Sequence, residues 1–305
     1  MKIYLYGMIC ASSCFKLSEF PKPDEYTEIE QSARFIGGET GTCATVLSSL
    51  GAFVKIDGTH IGKSMDRLTR EFYSGKSIDL SSLTFDEGFE GLEDHILISG
   101  DVRTPFGRFG HFFGDYYSGG SKHWNEPKES DILQCETAAI DDCFGEDSMR
   151  CAEMCVKNGK PYVTIDCKYD SYIHAHAAVT VISGEALKMH YGDVAREEMF
   201  PLYAESSDGL TIITNGGGEF LFGRKGEPAR RFTPFKVNVA STLGAGDTFK
   251  AGCTYALARG MNDGELVSFA SACAAVAVSR FPSQLCPPTL AEVQRLMQSQ
   301  KQQGS

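Results

Sequence analysis

The sequence predicts an α/β protein: a mostly parallel sheet covered by helices on both faces, with a small β lid over a site. Three observations predict it. Short apolar, β-branched runs alternate with helical stretches along most of the chain. Two segments rich in Pro, Gly or aromatic residues break that rhythm. A turn of small residues, Ser241-Thr242-Leu243-Gly244-Ala245-Gly246, runs straight into Asp247 and a helical pattern.

The apolar runs are Ile3–Tyr6, Phe53–Ile56, His95–Ser99, Tyr162–Ile165, Val179–Ile182 and Leu210–Thr214. Between them lie helical stretches such as Thr42–Leu50, stopped by Gly51, and Ser148–Asn158, stopped by Gly159 and Pro161. Glycine ends a helix because it adopts the left-handed conformation freely. Strands that alternate with helices predict βαβ units and a parallel sheet. The last third turns helical: Gly246–Arg259, then the small-residue stretch Asp263–Val278, then a capping box at Thr289-Leu290-Ala291-Glu292. The polar end, 298–305, reads as frayed. The exceptions are residues 11–36, with prolines, charges and short β-like pieces such as Thr27–Glu30, and residues 100–126, with Phe106, Phe109, Phe112, Phe113, Tyr116 and Tyr117. Both read as β excursions that form the lid, within a single domain spanning 1–305.

Composition narrows the function. With 305 residues, 42% apolar, the chain builds a large core. A net charge of −11 argues against nucleic acid or an anionic membrane as partner, so an anionic ligand needs local basic residues. No stretch reaches the length of a membrane span, and the opening Met-Lys-Ile-Tyr-Leu-Tyr-Gly turns polar too soon for a signal peptide, which predicts a cytoplasmic protein. The 11 cysteines lack disulfide-framework spacing. Cys151 and Cys155, four apart with Cys143 nearby, read as buried thiols rather than zinc ligands, since no second ligand pair follows. His174 and His176 form a His-x-His that reads as two surface histidines on a strand or loop rather than a metal pair.

The turn at 241–249 carries the chemistry. The first N–H groups of a helix lack internal partners and sit at the positive end of its dipole, which suits a phosphoryl group. Asp247 repels phosphate, so its use there is to accept a proton from a neutral hydroxyl. Anion cradle plus base predicts phosphoryl transfer to an alcohol. Locally, an ordinary loop–helix junction with an acid in its first turn fits the same residues.

Taken together, the motifs resemble the ribokinase family, the PfkB-type carbohydrate kinases, over nearly the whole chain. Gly37-Gly38-Glu39-Thr40-Gly41-Thr42 looks like the N-terminal glycine-pair motif, and Gly244-Ala245-Gly246-Asp247-Thr248-Phe249 like the C-terminal signature. Leu210–Gly217 resembles the strand and glycine turn that touches nucleotide, and Phe269–Arg280 the helix near the adenine. The resemblance implies a doubly wound, ribokinase-like fold with a β lid, and ATP with Mg²⁺ as phosphate donor to a hydroxyl of a sugar or sugar-like molecule. Asp247 matches the general base, and Gly244, Ala245 and Gly246 the backbone anion hole. Thr214, Gly216, Gly217 and Ser271 match nucleotide contacts. Gly37, Gly38, Thr42 and Ser12 match acceptor contacts, and Glu185 a metal-handling acid.

The chain departs from the family pattern mainly on the acceptor side. An acid after the first strand is missing, with Ser12 near its place, and Thr42 and Ser271 stand where Asn is usual. Ser241 replaces an Asp linked with monovalent cations, which argues against potassium activation. Of Asn-x-x-Glu only Glu185 remains, in Ile182-Ser183-Gly184-Glu185. The acceptor is therefore not simple ribose, and Arg103, in the second lid segment, is a candidate contact for it. The aromatic run behind Arg103 reads as a lid-to-lid dimer interface or as pocket lining. Two other functions remain: a nucleoside kinase of the same fold, with Phe15 or Phe20 as stacking partner, and a non-catalytic nucleotide or sugar sensor.

Overall fold

The structure is a computed structural model that describes the chain except Asp101, Gly304 and Ser305, and the side chains of residues 300–303. Its strands are β1 (Lys2–Gly7), β2 (Cys10–Leu17), β3 (Ile29–Gly37), β4 (Phe53–Gly58), β5 (Ile78–Asp79), β6 (Glu93–Ser99), β7 (Val102–Gly107), β8 (Thr137–Ile140), β9 (Tyr162–Ile165), β10 (Val179–Ile182), β11 (Leu210–Ile213), β12 (Phe220–Gly223) and β13 (Arg230–Phe232). Its α-helices are α1 (Glu39–Ser49), α2 (Asp66–Tyr73), α3 (Phe109–Tyr117), α4 (Glu129–Gln134), α5 (Glu146–Lys157), α6 (Tyr172–His176), α7 (Gly184–Tyr191), α8 (Arg196–Glu205), α9 (Ala245–Ala258), α10 (Asp263–Val278) and α11 (Leu290–Gln303).

Nine strands form the main sheet in the order β13-β12-β11-β10-β9-β8-β1-β4-β5. The neighbours from β11 to β5 pair in parallel, and β12 and β13 add an antiparallel edge. Strands β8, β9, β10 and β11 are buried along their whole length, as helices on both faces require. From β1 the chain runs outward through β4 to β5, then returns to β8 on the other side. Strand order thus reverses between β1 and β8, and ligands in such sheets bind at the carboxyl ends beside that reversal.

The lid is a second sheet, β3-β2-β6-β7. Its centre is a parallel pair, β2 with β6, that places Ser12 opposite Asp94. The run His95–Ser99, read from sequence with the main-sheet strands, belongs to this lid. The aromatic segment also differs from expectation: residues 109–117 form helix α3. Phe109, Phe112, Phe113 and Tyr116 recur at helical spacing, but Gly110 and Gly114 weaken the helical signal. Phe112, Phe113 and Tyr116 pack around Trp124, with ring centroids 5.7, 6.0 and 4.6 Å away, and Trp124 stacks on Phe144. Phe112, Phe113 and Tyr116 thus pack on their own chain, while Phe106 and Tyr117 stay exposed.

Other local expectations resolve plainly. Thr289 and Glu292 exchange capping-box hydrogen bonds, and α11 runs to Gln303; the rest of the tail expected to fray lies outside the described residues. His174 is not a surface residue: it sits on α6, buried, its ring bonded to Thr180 Oγ1 and the Tyr203 carbonyl, both at 2.9 Å. His176 is exposed. Cys151 and Cys155 are buried free thiols.

Helices α9 and α10 are packed closely enough to leave no room for a side chain at Gly252, where a β-carbon would lie 2.7 Å from Ala270 Cα. Two effects oppose each other in Gly252→Ala. Alanine favours a helix over glycine by about 0.8–1.0 kcal/mol, but overpacking against backbone costs about 1–3 kcal/mol. The clash wins: the urea midpoint falls with an unchanged denaturant slope, and a higher midpoint would show that the helix pair is looser than described.

Candidate active site

A cleft of about 1120 Å³ opens between the lid and the carboxyl ends of the main sheet. The residues read from sequence as catalytic, nucleotide, acceptor and metal positions line it: Ser12, Gly37, Gly38 and Thr42; Arg103 and Glu185; Thr214, Gly216, Gly217 and Ser271; and Gly244, Ala245, Gly246 and Asp247. Phe15 and Phe20 do not, and the aromatic lining comes instead from Phe35, Phe109, Phe220 and Phe235.

The floor of the cleft is the turn into α9. Gly244 takes a left-handed conformation, φ 73°, and a β-carbon there would lie 2.5 Å from Gln284 Nε2. Only glycine fits both constraints. The Ala245 N–H bonds to the Thr242 carbonyl at 3.2 Å, so it closes the turn and is not free for a ligand as the sequence reading had it. Among the described residues, no protein acceptor takes the N–H of Gly246 or Asp247. Those two amides, at the positive end of a 14-residue helix, form the anion seat. Burial lifts the Asp247 carboxyl to about 6, against the pull of Lys250, with Asp141 adding to the rise.

Beneath this floor lies a network that sequence reasoning missed. Lys250, one turn beyond Asp247, forms an ion pair with Asp141, and both are 1% exposed. Burial disfavours the Lys250 ammonium, but Asp141, Cys43 and Glu39 together outweigh it and hold the group above the ordinary lysine range. Asp141 also accepts hydrogen bonds from Thr40 Oγ1 at 2.7 Å and the Met8 N–H at 3.3 Å. A β-carbon at Gly7 would run into its carboxylate. Glu39, in the first turn of α1, sits well above the usual carboxylate range, through burial first and Asp141 second.

The lid wall carries a second missed residue. Asp94 lies on β6, 8% exposed, with Oδ1 unpartnered among the described residues. Burial raises its carboxyl, opposed by the nearby Ser12 hydroxyl. Ser12 presses against Gly37, where a β-carbon would collide with its hydroxyl. The acid absent from β2 is thus present on the neighbouring lid strand, at the register position facing Ser12. Only pairing of two segments 82 residues apart brings them together.

Arg103, on β7, reaches across to the main body. It donates to the Thr242 carbonyl at 3.3 Å and pairs with Glu185 at 3.1 Å. This contact joins the lid to the turn that opens α9. Glu185 is largely exposed, and its neighbour Asp166 accepts from the Ser183 N–H and hydroxyl. On the far side, Thr214 follows β11, its hydroxyl bonded to the Ile182 carbonyl at 3.3 Å, and Gly216 and Gly217 form an open turn. Ser271 Oγ is buried with no protein partner among the described residues, next to the apolar Ala274, Ala275 and Val278.

The comparisons with known proteins agree with this geometry. The 5-dehydro-2-deoxygluconokinase of Shouchella clausii (strain KSM-K16) is 34% identical over 100 residues, a match spanning 32% of this chain and 30% of that protein's length. A protein of the same name from Halalkalibacterium halodurans aligns over 94% of this chain and 92% of its own length at 22% identity. Among solved structures, a putative ribokinase from Agrobacterium tumefaciens has a TM-score of 0.85 at 19% identity, covering 99% of this chain and 98% of that one. Arabidopsis thaliana ribokinase complexed with ribose and ATP has a TM-score of 0.76 at 17% identity, covering 97% and 98%. These structures share the ribokinase-like fold. The model of the family described as pfkB family carbohydrate kinase matches residues 10–290, and the chain belongs to that family.

Proposed function

We propose that the protein transfers the terminal phosphoryl group of ATP to a hydroxyl of a sugar-like acceptor, with Asp247 as general base. One observation carries this reading: a carboxyl lifted to about 6 faces the cleft beside two amides that have no protein partner. At neutral pH such a carboxyl is ionised yet more basic than an ordinary aspartate. The acceptor oxygen bonds to the terminal phosphorus as the bond from phosphorus to the bridging oxygen of ADP breaks. The hydroxyl proton passes to Asp247, and the Gly246 and Asp247 amides stabilise charge on the transferring group. Arg103 and the lid exclude water that would otherwise take the phosphoryl group.

The nucleotide lies along Thr214, Gly216 and Gly217, with its base against Ser271 and Ala274. The acceptor lies under the lid between Ser12, Gly37, Gly38, Thr42 and Asp94. Asp94 supplies the hydroxyl-gripping carboxylate that the family carries on β2. The name shared by the curated relatives makes 5-dehydro-2-deoxygluconate the first acceptor to test, with Arg103 as the cation for its carboxylate. The cleft-lining carboxylates of Glu185 and Asp166 are hard oxygen donors suited to Mg²⁺, which takes one or two carboxylates plus phosphates and waters. When bound, the ion would neutralise phosphate charge. The exposed side chains at the lid edges, Ile29 on β3 and Val102 and Phe106 on β7, are where we place a homodimer contact.

Four outcomes test this reading. Asp247→Asn lowers kcat by at least about a hundredfold while ATP affinity, measured calorimetrically, stays within about twofold; undiminished turnover would remove Asp247 as base. The parent's kcat/KM loses activity below about pH 6, where Asp247 takes up its proton. The same shift has a stability signature. The folded carboxyl holds its proton more tightly than the unfolded one, whose ordinary pKa is 3.8, so ionised Asp247 costs stability fully above about pH 6 and not at all below 3.8. The melting temperature of Asp247→Asn therefore gains on the parent's between pH 4 and 6 and keeps that lead at pH 8; a lead that shrinks with rising pH would contradict the assignment. Finally, Asp94→Asn and Arg103→Ala each raise the acceptor KM about tenfold or more with little change in the ATP KM, as loss of a hydrogen bond to a charged group implies. Equal effects on both substrates would take these residues out of the acceptor site.

A further inference from the structure

Outside the cleft, three side chains from three connecting segments converge beyond the end of β4: His60, Asp86 and His123. The backbone fixes the segments together. Thr59 bridges Trp124, and the His60 N–H donates to the His123 carbonyl at 2.9 Å. Ile61 bridges Phe85, and the Asp86 N–H donates to the Ile61 carbonyl at 2.8 Å. As a result, Nδ1 of both histidines lies 3.3 Å from the same oxygen, Asp86 Oδ2.

The surrounding hydrogen bonds determine the tautomer of His60. The Asn125 side-chain NH₂ donates to Asp57 Oδ1 at 2.9 Å and to the Ser82 carbonyl at 2.8 Å. Both partners only accept, so the Asn125 carbonyl oxygen is the atom facing His60 Nε2 at 3.2 Å. His60 Nε2 must carry the proton. In the neutral ring Nδ1 is then a bare lone pair pointing at a carboxylate oxygen, which is repulsive. Either a second proton or a cation between the groups resolves this. A charge-assisted N–H···O bond is about 2.7–2.9 Å long, shorter than the 3.3 Å seen twice here. Two donors on a tetrahedral ion with bonds of about 2.0–2.1 Å are about 3.3 Å apart.

The outer contacts are those of a held site. Asp86 Oδ1 accepts the Gly88 N–H at 2.8 Å, and His123 stacks on Phe89 with centroids 4.1 Å apart and planes 9° from parallel. His60, Asp86 and His123 are 15%, 26% and 24% exposed, leaving an open position for water. Two imidazoles and one carboxylate favour zinc over magnesium or calcium, which prefer all-oxygen sites. We propose that His60, Asp86 and His123 bind one Zn²⁺ that staples the three segments, separate from the phosphoryl-transfer site.

The test uses the full chain stripped with a chelator and then given Zn²⁺ or Co²⁺ near neutral pH. After gel filtration the protein retains one equivalent of zinc in the presence of excess Mg²⁺, and the Co²⁺ form shows the visible d–d bands of a four-coordinate nitrogen–oxygen site without thiolate charge transfer. His60→Gln/His123→Gln, shown folded by circular dichroism, loses both signals; if the double variant does not fold, His123→Gln alone binds zinc at least about tenfold more weakly. No retained zinc in the parent would overturn the proposal and leave a shared proton. Thiolate bands, or retention unchanged in the variants, would overturn it by placing the metal on cysteine.

Discussion

The architecture of the cleft depends on one buried carboxylate. Asp141 follows β8 at the point where strand order reverses, and it gathers the elements that form the site. Lys250 comes from α9, Thr40 from α1, and the Met8 N–H from the end of β1. Each partner sits next to a residue that faces the cleft: Lys250 one turn from Asp247, Thr40 just after Gly37 and Gly38, Met8 itself on the wall. The pair is 1% exposed on both sides, so its charges are fully desolvated. Such a pair contributes little net stability when replaced as a whole, but breaking it leaves an uncompensated charge at a cost of about 3–5 kcal/mol. Its role is better described as registration: α9 has one depth and rotation at which Lys250 reaches Asp141.

The same pair contributes to the electrostatics around Asp247, after burial. Asp247 lies in a pocket with several carboxylates, and burial raises its proton affinity. Lys250 and Arg103 oppose that rise, while Asp141 and Asp166 support it. The balance leaves Asp247 ionised at neutral pH but basic enough to accept a proton from an alcohol. Arg103 reaches this pocket from the lid strand β7, held by the Thr242 carbonyl and Glu185.

The parts of the site visible in sequence were those that are local in the chain. Gly244 through Asp247 form a turn whose geometry follows from neighbouring residues, and the glycine pair and the strand before Thr214 are similarly short-range. What sequence did not reveal depends on distant pairing. Asp141 and Lys250 are 109 residues apart, and either alone reads as an ordinary surface residue. Asp94 becomes a companion of Ser12 only through the parallel β2–β6 pairing, which no adjacent turn announces. His60, Asp86 and His123 sit in connecting segments without periodicity. Helix α3 was hidden for a different reason: two glycines lowered its apparent propensity while aromatic packing on Trp124 supplied the stability.

The most direct measurement is a crystal structure with a non-transferable ATP analogue and the sugar-like acceptor bound together. The account places one acceptor hydroxyl within about 2.6–3.2 Å of the Asp247 carboxylate, and the terminal phosphate on the Gly246 and Asp247 amides. An Asp247 side chain turned away from the acceptor, or a terminal phosphate bound elsewhere in the cleft, would contradict it.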